Sequence, residues 1–316
     1  MDRRRSRKPE KLRIGFVGVG AMGLPMAINL RQAGLLKSLF DLNSDRARMV
    51  GDPELLAPGL SDLLAGSDVV ITMLPTEDAL RDIVLGADGL VANSFEGKTL
   101  IDMATTSPEL SQRLDRGVRS AGGRYLEAPV SGGTDGARAG TLTIIAAGDE
   151  GTYRDVAPAL EVLGERVFFV GPAGAAQILK IANNLLFASN VAAIAEAWSL
   201  VRPQAIDPAI ALEVLTACSG DSRALRTRVP EPGLVPDAPP SRGFRPGFRA
   251  RLALKDLSLA RDLAQSAGST TPMLEAAHGL YSGMVEAGLG DLDLSAVARL
   301  IGRTDTDAVG ERPRDV

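Results

Sequence analysis

The sequence predicts an α/β fold, a doubly wound and mainly parallel sheet, followed by an all-α helical domain. Three observations predict it. Strand-like and helix-like segments alternate from residue 12 to about residue 170, which is the grammar of repeated βαβ units. After Gly171 the strands stop and helical periodicity takes over. A glycine-rich turn, "GVGAMG" at residues 18–23, joins the first strand to the first helix, where such sheets hold phosphate groups.

The elements follow in order. Residues 12–19, "LRIGFVGV", form a buried strand of β-branched, aromatic and apolar residues ending in glycine. "AMGLPMAINLRQAG" is a helix and "LKSLFDL" a second strand. "DLLAGSDVVITMLPT" supplies a helix end and a strand at 69–74; "TEDALRDIVLG" is helical. A strand at 100–103 with a capping turn precedes the helix "PELSQRLDRGVRSAG". "RYLEAPV", "TLTIIAAG" and "RVFFVG" add strands. "AAQILKIANNLLFASNVAAIAEAWSLV" is a helix of about seven turns, which Pro203 should stop or kink. "DPAIALEVLTAC", "ARLALKDLSLARDLAQSAG", "TPMLEAAHGLYSGMVEAG" and "DLSAVARLIG" are further helices. The Pro-rich stretch 229–248 is an ordered loop or lid, because helices resume on both sides. The expected organisation is a basic leader at 1–11, an α/β domain at 12–172, an all-α domain at 173–303 and a tail at 304–316.

Composition narrows the function. Of 316 residues 45% are hydrophobic and 23% charged, as in an ordinary globular protein, and the net charge is −4. That charge argues against nucleic acid or an anionic membrane as the main partner. Cys218 is the only cysteine, so there is no intrachain disulfide and no cysteine metal site, in keeping with the cytoplasm. His278 is the only histidine, so a triad or a histidine metal site lacks a second one, and no metal is expected. No run of eighteen apolar residues appears, so no transmembrane helix is expected. The acid pairs Glu77/Asp78 and Asp291/Asp293 read as caps or solvated faces, and Trp198 as packing.

Of 35 basic residues only six are lysines. Lysine can be tuned towards neutrality whereas arginine cannot. Lys180 is the only charge in "GPAGAAQILKIANNLLFASN", and helical spacing puts it on one face with Asn183, Asn184 and Phe187. A buried lysine is costly unless it is neutralised, paired or used.

The glycine turn has a direct physical reading. Gly18 permits the tight turn, Gly20 lets backbone N–H groups approach a pyrophosphate, and Gly23 allows close helix–strand packing. With Ala21 and Met22 they make up the cofactor loop. Asp41, 23 residues after Gly18, ends the next strand. It is placed to accept hydrogen bonds from ribose hydroxyls and to repel a 2′-phosphate, which favours NAD over NADP.

"GFVGVGAMGLPMAINL", "EAPVSGGTDGARAGTLTIIAAGD", "GPAGAAQILKIANNLL" and "LALKDLSLARDLA" occur in the order found in the β-hydroxyacid dehydrogenases. The chain resembles that family over roughly residues 13–265, most closely its 3-hydroxyisobutyrate dehydrogenase branch. The resemblance implies a Rossmann-type nucleotide-binding domain and residue roles. Lys180 matches the catalytic lysine and Asn184 a substrate-holding asparagine. Ser131, Gly132 and Gly133 match the loop that binds the substrate carboxylate. Leu74, Pro75 and Thr105 match cofactor contacts at strand ends, and Lys255 a lysine that reaches the cofactor. Glu127 stands where aspartate is usual, and Ala176 replaces a usual glycine.

The implied reaction is NAD-dependent oxidation of a small β-hydroxyacid to its semialdehyde, with 3-hydroxyisobutyrate giving methylmalonate semialdehyde as the best candidate. Lys180 is its general acid/base, because an apolar setting disfavours the ammonium form. Tartronate semialdehyde reduction, or that of a related short aldehyde, is the enzymatic alternative; a non-catalytic cofactor-binding module is the third. The partners expected are a small carboxylate-bearing substrate and a second copy of the chain, in a homodimer or homotetramer.

Overall fold

The computed structural model describes residues 12–93 and 95–301. The expected leader at 1–11 lies outside the described residues, as does the tail at 304–316. The chain divides into two compact units, Met1–Lys180 and Ile181–Val316. The division falls inside the long helix Ala175–Val201, so residues 175–180 group with the sheet.

The first unit is built on eight strands among the described residues: β1 (Ile14–Val17), β2 (Leu36–Phe40), β3 (Val69–Thr72), β4 (Thr99–Asp102), β5 (Arg124–Glu127), β6 (Val130–Ser131), β7 (Leu142–Gly148) and β8 (Gly164–Phe169). Their order is β2-β1-β3-β4-β5-β7-β6, with β8 beside β7. The first five are parallel. Direction reverses at β7, which is antiparallel to β5 and β6. The central strands β1, β3 and β4 are buried along their whole length, as a doubly covered sheet requires. Phe16, Ile71, Ile101 and Leu126 enter one core, while their neighbours Val17, Val70, Leu100 and Tyr125 enter the other. This is the Rossmann-type arrangement the alternation predicts.

Register aligns the carboxyl ends of the parallel strands. Val17 pairs with both Phe40 and Thr72, Thr72 with Asp102, and Asp102 with Glu127. The residues that follow these ends therefore emerge along one edge, the edge where open α/β sheets bind ligands.

Three helices of this unit escape the sequence reading, the short Ser44–Arg48 among them. Glu150–Leu163 is capped by Asp149, which accepts from Thr152 N at 2.8 Å, and it buries Val156, Ala159, Leu160 and Leu163. Pro158 lies on its exposed side and hides the pattern. Gly133–Ala139 follows β6 directly.

The second unit is helical: the rest of the long helix, then Pro208–Ala217, Arg223–Arg228, Ala250–Ser266 and Pro272–Glu286. The long helix ends at Val201, just before Pro203. It is long and apolar enough to cross a membrane, a test that the run-of-eighteen criterion had it failing. Its buried residues Ile181, Ala188, Val191 and Ala195 nevertheless join the core with Leu257, Leu274, Tyr281 and Val297, as a core helix does. Small alanines allow the close packing.

The last predicted helix is a 3-10 turn, Leu294–Arg299. Asp293, expected as a cap or on a solvated face, is a fully buried cap. It accepts from Ser295 N at 3.1 Å and from Gly247 N and Phe248 N at 3.0 Å each. It thereby fastens the end of the Pro-rich loop, whose 3-10 turn is Pro239–Arg242.

Candidate active site

The glycine turn begins where β1 ends. Gly18 has φ +95°, and a Cβ there would sit 2.5 Å from the Met73 carbonyl oxygen and 2.9 Å from Leu74 Cδ2. A Cβ at Gly23 would lie 1.9 Å from the Gly18 carbonyl oxygen, whereas one at Gly20 would meet nothing within 4 Å. Two glycines are thus demanded by packing, and the third is demanded by nothing among the described residues. The helix Gly23–Gln32 starts after Met22 without a side-chain cap, which leaves its N-terminal N–H groups to another acceptor. Asp41 follows β2, and its carboxylate accepts from Val19 N and Asn43 N, each at 2.8 Å. The carboxylate is thereby held against the glycine turn. These residues fit a dinucleotide: a turn with room for a pyrophosphate beside a fixed acid.

Leu74 and Pro75 follow β3, and Thr105 follows β4. The loop around Thr105 is held from three sides. Thr106 N donates to Gln177 Oε1 at 3.1 Å, and Gln177 Nε2 donates to Ala104 O at 3.1 Å. Ser107 N donates to Glu77, and Ala104 N to Asp102 Oδ1 at 3.2 Å.

Ser131 ends β6. Gly132 has φ +138° and Gly133 φ +64°, conformations that side chains disfavour. The pair turns the strand into the helix Gly133–Ala139, which has no side-chain cap. A serine hydroxyl and unpaired helix-start amides are acceptable donors for a carboxylate.

Lys180 lies on the long helix and is 7% exposed. At the start of that helix, the fully buried Glu127 accepts from Gly174 N at 2.9 Å, from Ala176 N at 2.8 Å and from Ser111 Oγ. Tyr125 OH lies 3.0 Å from Ser111 Oγ. Burial raises the Glu127 carboxyl above its ordinary range, against the pull of these donors. Burial likewise pushes the Tyr125 phenol well up.

In the second unit, Asn184 Nδ2 donates to Asp256 Oδ2 at 2.6 Å and Asn183 Nδ2 to Asn184 Oδ1 at 3.1 Å. Lys255 Nζ is 3.1 Å from Asp256 Oδ1. Asn184 is buried but Asn183 is exposed, so the face expected to hold Lys180, Asn183 and Asn184 together is narrower than the spacing predicts. His278 Nε2 lies 3.1 Å from Ser258 Oγ, its pKa lowered by burial and by Arg261. Trp198 packs and donates to Glu231 at 2.9 Å.

The structure thus brings Gly18, Gly20, Gly23, Asp41 and Leu74 together, sets Thr105 on the same edge, and joins Lys255 and Asn184 through Asp256. The sequence reading missed Gln177 and Asp256 as organisers. The only sequence trace of the first is an amide three residues before Lys180, and it reads as a surface residue.

Comparisons with known proteins agree with this geometry. The family model for the NAD binding domain of 6-phosphogluconate dehydrogenase matches residues 13–171. The model for the NAD-binding of NADP-dependent 3-hydroxyisobutyrate dehydrogenase matches residues 174–301. An NAD-dependent L-serine dehydrogenase of Pseudomonas aeruginosa is 38% identical over 92% of this chain and 98% of its own length. A 3-hydroxyisobutyrate dehydrogenase of the same organism is 39% identical over 91% of this chain and 97% of its own. The solved structure of Mycobacterium tuberculosis 3-hydroxyisobutyrate dehydrogenase with L-serine superposes with a TM-score of 0.84 at 35% identity, covering 92% of this chain and 99% of that one. With the glycine turn, the fixed acid and the helix-borne lysine, these matches show that the chain belongs to the β-hydroxyacid dehydrogenase family, NAD(P)-dependent oxidoreductases acting on CH–OH groups.

Proposed function

We propose that the protein oxidises 3-hydroxyisobutyrate to methylmalonate semialdehyde with NAD, Lys180 serving as general acid/base. The observation that carries this reading is Lys180 itself, an amine 7% exposed on an apolar helix, a setting that disfavours the ammonium form and so suits a group that exchanges a proton. NAD⁺, held by the glycine turn and Asp41, would supply the hydride acceptor for the carbon that bears the hydroxyl. Lys180 removes the hydroxyl proton as the C=O bond forms and returns it in the reverse direction. Ser131 and the amides at Gly132 and Gly133 hold the substrate carboxylate, and the Asn184 amide, oriented by Asp256, offers a second polar contact. Gly18, Gly20, Ala21, Met22 and Gly23 receive the pyrophosphate, with Leu74, Pro75, Thr105 and Lys255 as further cofactor contacts. Asp41 takes the ribose hydroxyls and disfavours NADP.

L-Serine is the second reading for the substrate. It carries the same hydroxymethyl and carboxylate groups, and it appears in the names of two relatives. The working form is a cytoplasmic homodimer or homotetramer.

A panel of 3-hydroxyisobutyrate and L-serine with NAD⁺ and NADP⁺, followed by absorbance, tests the reading. The Lys180→Ala variant should lose about 10²–10⁴-fold in kcat; a drop of a few-fold removes Lys180 from the chemistry. Faster turnover with NADP⁺ would overturn the role given to Asp41.

A further inference from the structure

We infer that Glu127 and Gln177 are positioning residues for the reaction: two buried side chains that clamp the first turn of the long helix to the sheet and so place Lys180. The inference rests on the acid/base reading of Lys180.

The first turn of a helix leaves N–H groups without partners, and a local Ser, Thr, Asp or Asn normally satisfies them. This helix has no such residue, because Gly174 precedes it with φ +100°. The cap comes from the end of β5 instead, where Glu127 takes the Gly174 and Ala176 N–H groups. The helix start is therefore tied to the edge of the sheet rather than to its own turn.

Gln177 makes the second tie. It is fully buried, at a position where an apolar residue would suit an apolar helix. A buried amide is costly unless both its ends are bonded, and here both are, to the residues on either side of Thr105. Glu127 fixes the helix along its axis, and Gln177 fixes its rotation against the loop after β4. Lys180 is three residues beyond Gln177, on the adjoining part of the same face. Neither tie is needed for the helix to form, since it continues for more than twenty residues beyond. Both end at the edge from which Thr105 emerges. A general base is sensitive to small displacement from its proton.

The test uses the full-length protein and the variants Gln177→Met, Glu127→Ala, Glu127→Gln and Lys180→Ala. The assays are turnover of 3-hydroxyisobutyrate and L-serine, the primary deuterium isotope effect with each alcohol deuterated at its hydroxymethyl carbon, NAD⁺ titration calorimetry, and amide hydrogen exchange. Gln177→Met and Glu127→Ala should lower kcat about 10- to 100-fold while NAD⁺ affinity stays within about threefold. Their isotope effects should rise towards the full value of the chemical step, and exchange should quicken at residues 174–178. Glu127→Gln keeps an acceptor for the two amides and should stay near wild type.

If the variants merely melt earlier, with kcat per folded molecule and isotope effect unchanged, the side chains are structural and the inference is wrong. It is equally wrong if NAD⁺ affinity falls while kcat holds. Should Glu127→Ala not fold, Ser111→Ala and Gln177→Asn must show the raised isotope effect, and its absence overturns the inference. A fully active Lys180→Ala would remove the acid/base reading. An inactive Lys180→Ala beside wild-type Gln177→Met and Glu127→Ala would remove only the positioning role.

Discussion

Glu127 shows how far a single residue's environment can depart from its sequence appearance. In the sequence it is an acid one methylene longer than the family's usual aspartate. In the fold it is a dry carboxyl under a helix start, with its pKa above the ordinary 4.5. Between 4.5 and that raised value the folded protein binds the proton that the unfolded chain releases. Glu127 therefore contributes stability that is complete below the unfolded pKa and lost as pH rises through the folded one. Glu127→Gln, which does not titrate, provides the reference. In urea unfolding at a series of pH values, wild type should lose stability relative to Glu127→Gln across that window, by at most about 1.4 kcal/mol per pH unit. A flat difference would show that the carboxyl is ionised throughout. Lys180 and Asn184 were legible because charge and amide stand out on an apolar helix. Gln177 was passed over because a lone amide reads as a surface residue, and only its burial and two partners distinguish it.

Among elements, the glycine turn separates folding from ligand binding. Gly18 and Gly23 are excluded from substitution by backbone contacts of 2.5 Å and 1.9 Å, whereas Gly20 faces open space. Gly23→Ala should therefore express poorly or melt markedly earlier. Gly20→Ala should melt within about 2 °C of wild type, as a surface change of under 0.5 kcal/mol does, yet raise KM for NAD⁺ at least tenfold. Paired thermal melts and NAD⁺ kinetics check both. Strands and the long helix were readable because period and caps agree along them. The helix Glu150–Leu163 was not, since Pro158 interrupts the pattern on the solvent side, where it is tolerated. The helix Gly133–Ala139 escaped because its seven residues hold two glycines, Gly133 and Gly136, and two alanines rather than an apolar stripe.

For the whole molecule, the two-part organisation and the edge that gathers the cofactor loop followed from alternation and the glycine turn. One family model stops at residue 171 and the next starts at 174, while residues 175–180 of the long helix group with the sheet. The second unit exposes Leu186, Leu200, Ile210 and Val214 on the long helix and on Pro208–Ala217, apolar side chains that a contact between subunits would cover. Light scattering should give a dimer or tetramer, and Leu186→Arg with Leu200→Arg should shift the mass towards one chain without altering the far-ultraviolet spectrum.

Asp293 carries a consequence of another kind. By gripping the amides of Gly247 and Phe248 from a fully buried position, it keeps a proline-rich surface segment from adopting the extended form that a protease cleft requires. Brief trypsin treatment of the native protein should spare the bond after Arg242, and Asp293→Ala should make that bond an early cut, visible as two fragments by mass spectrometry.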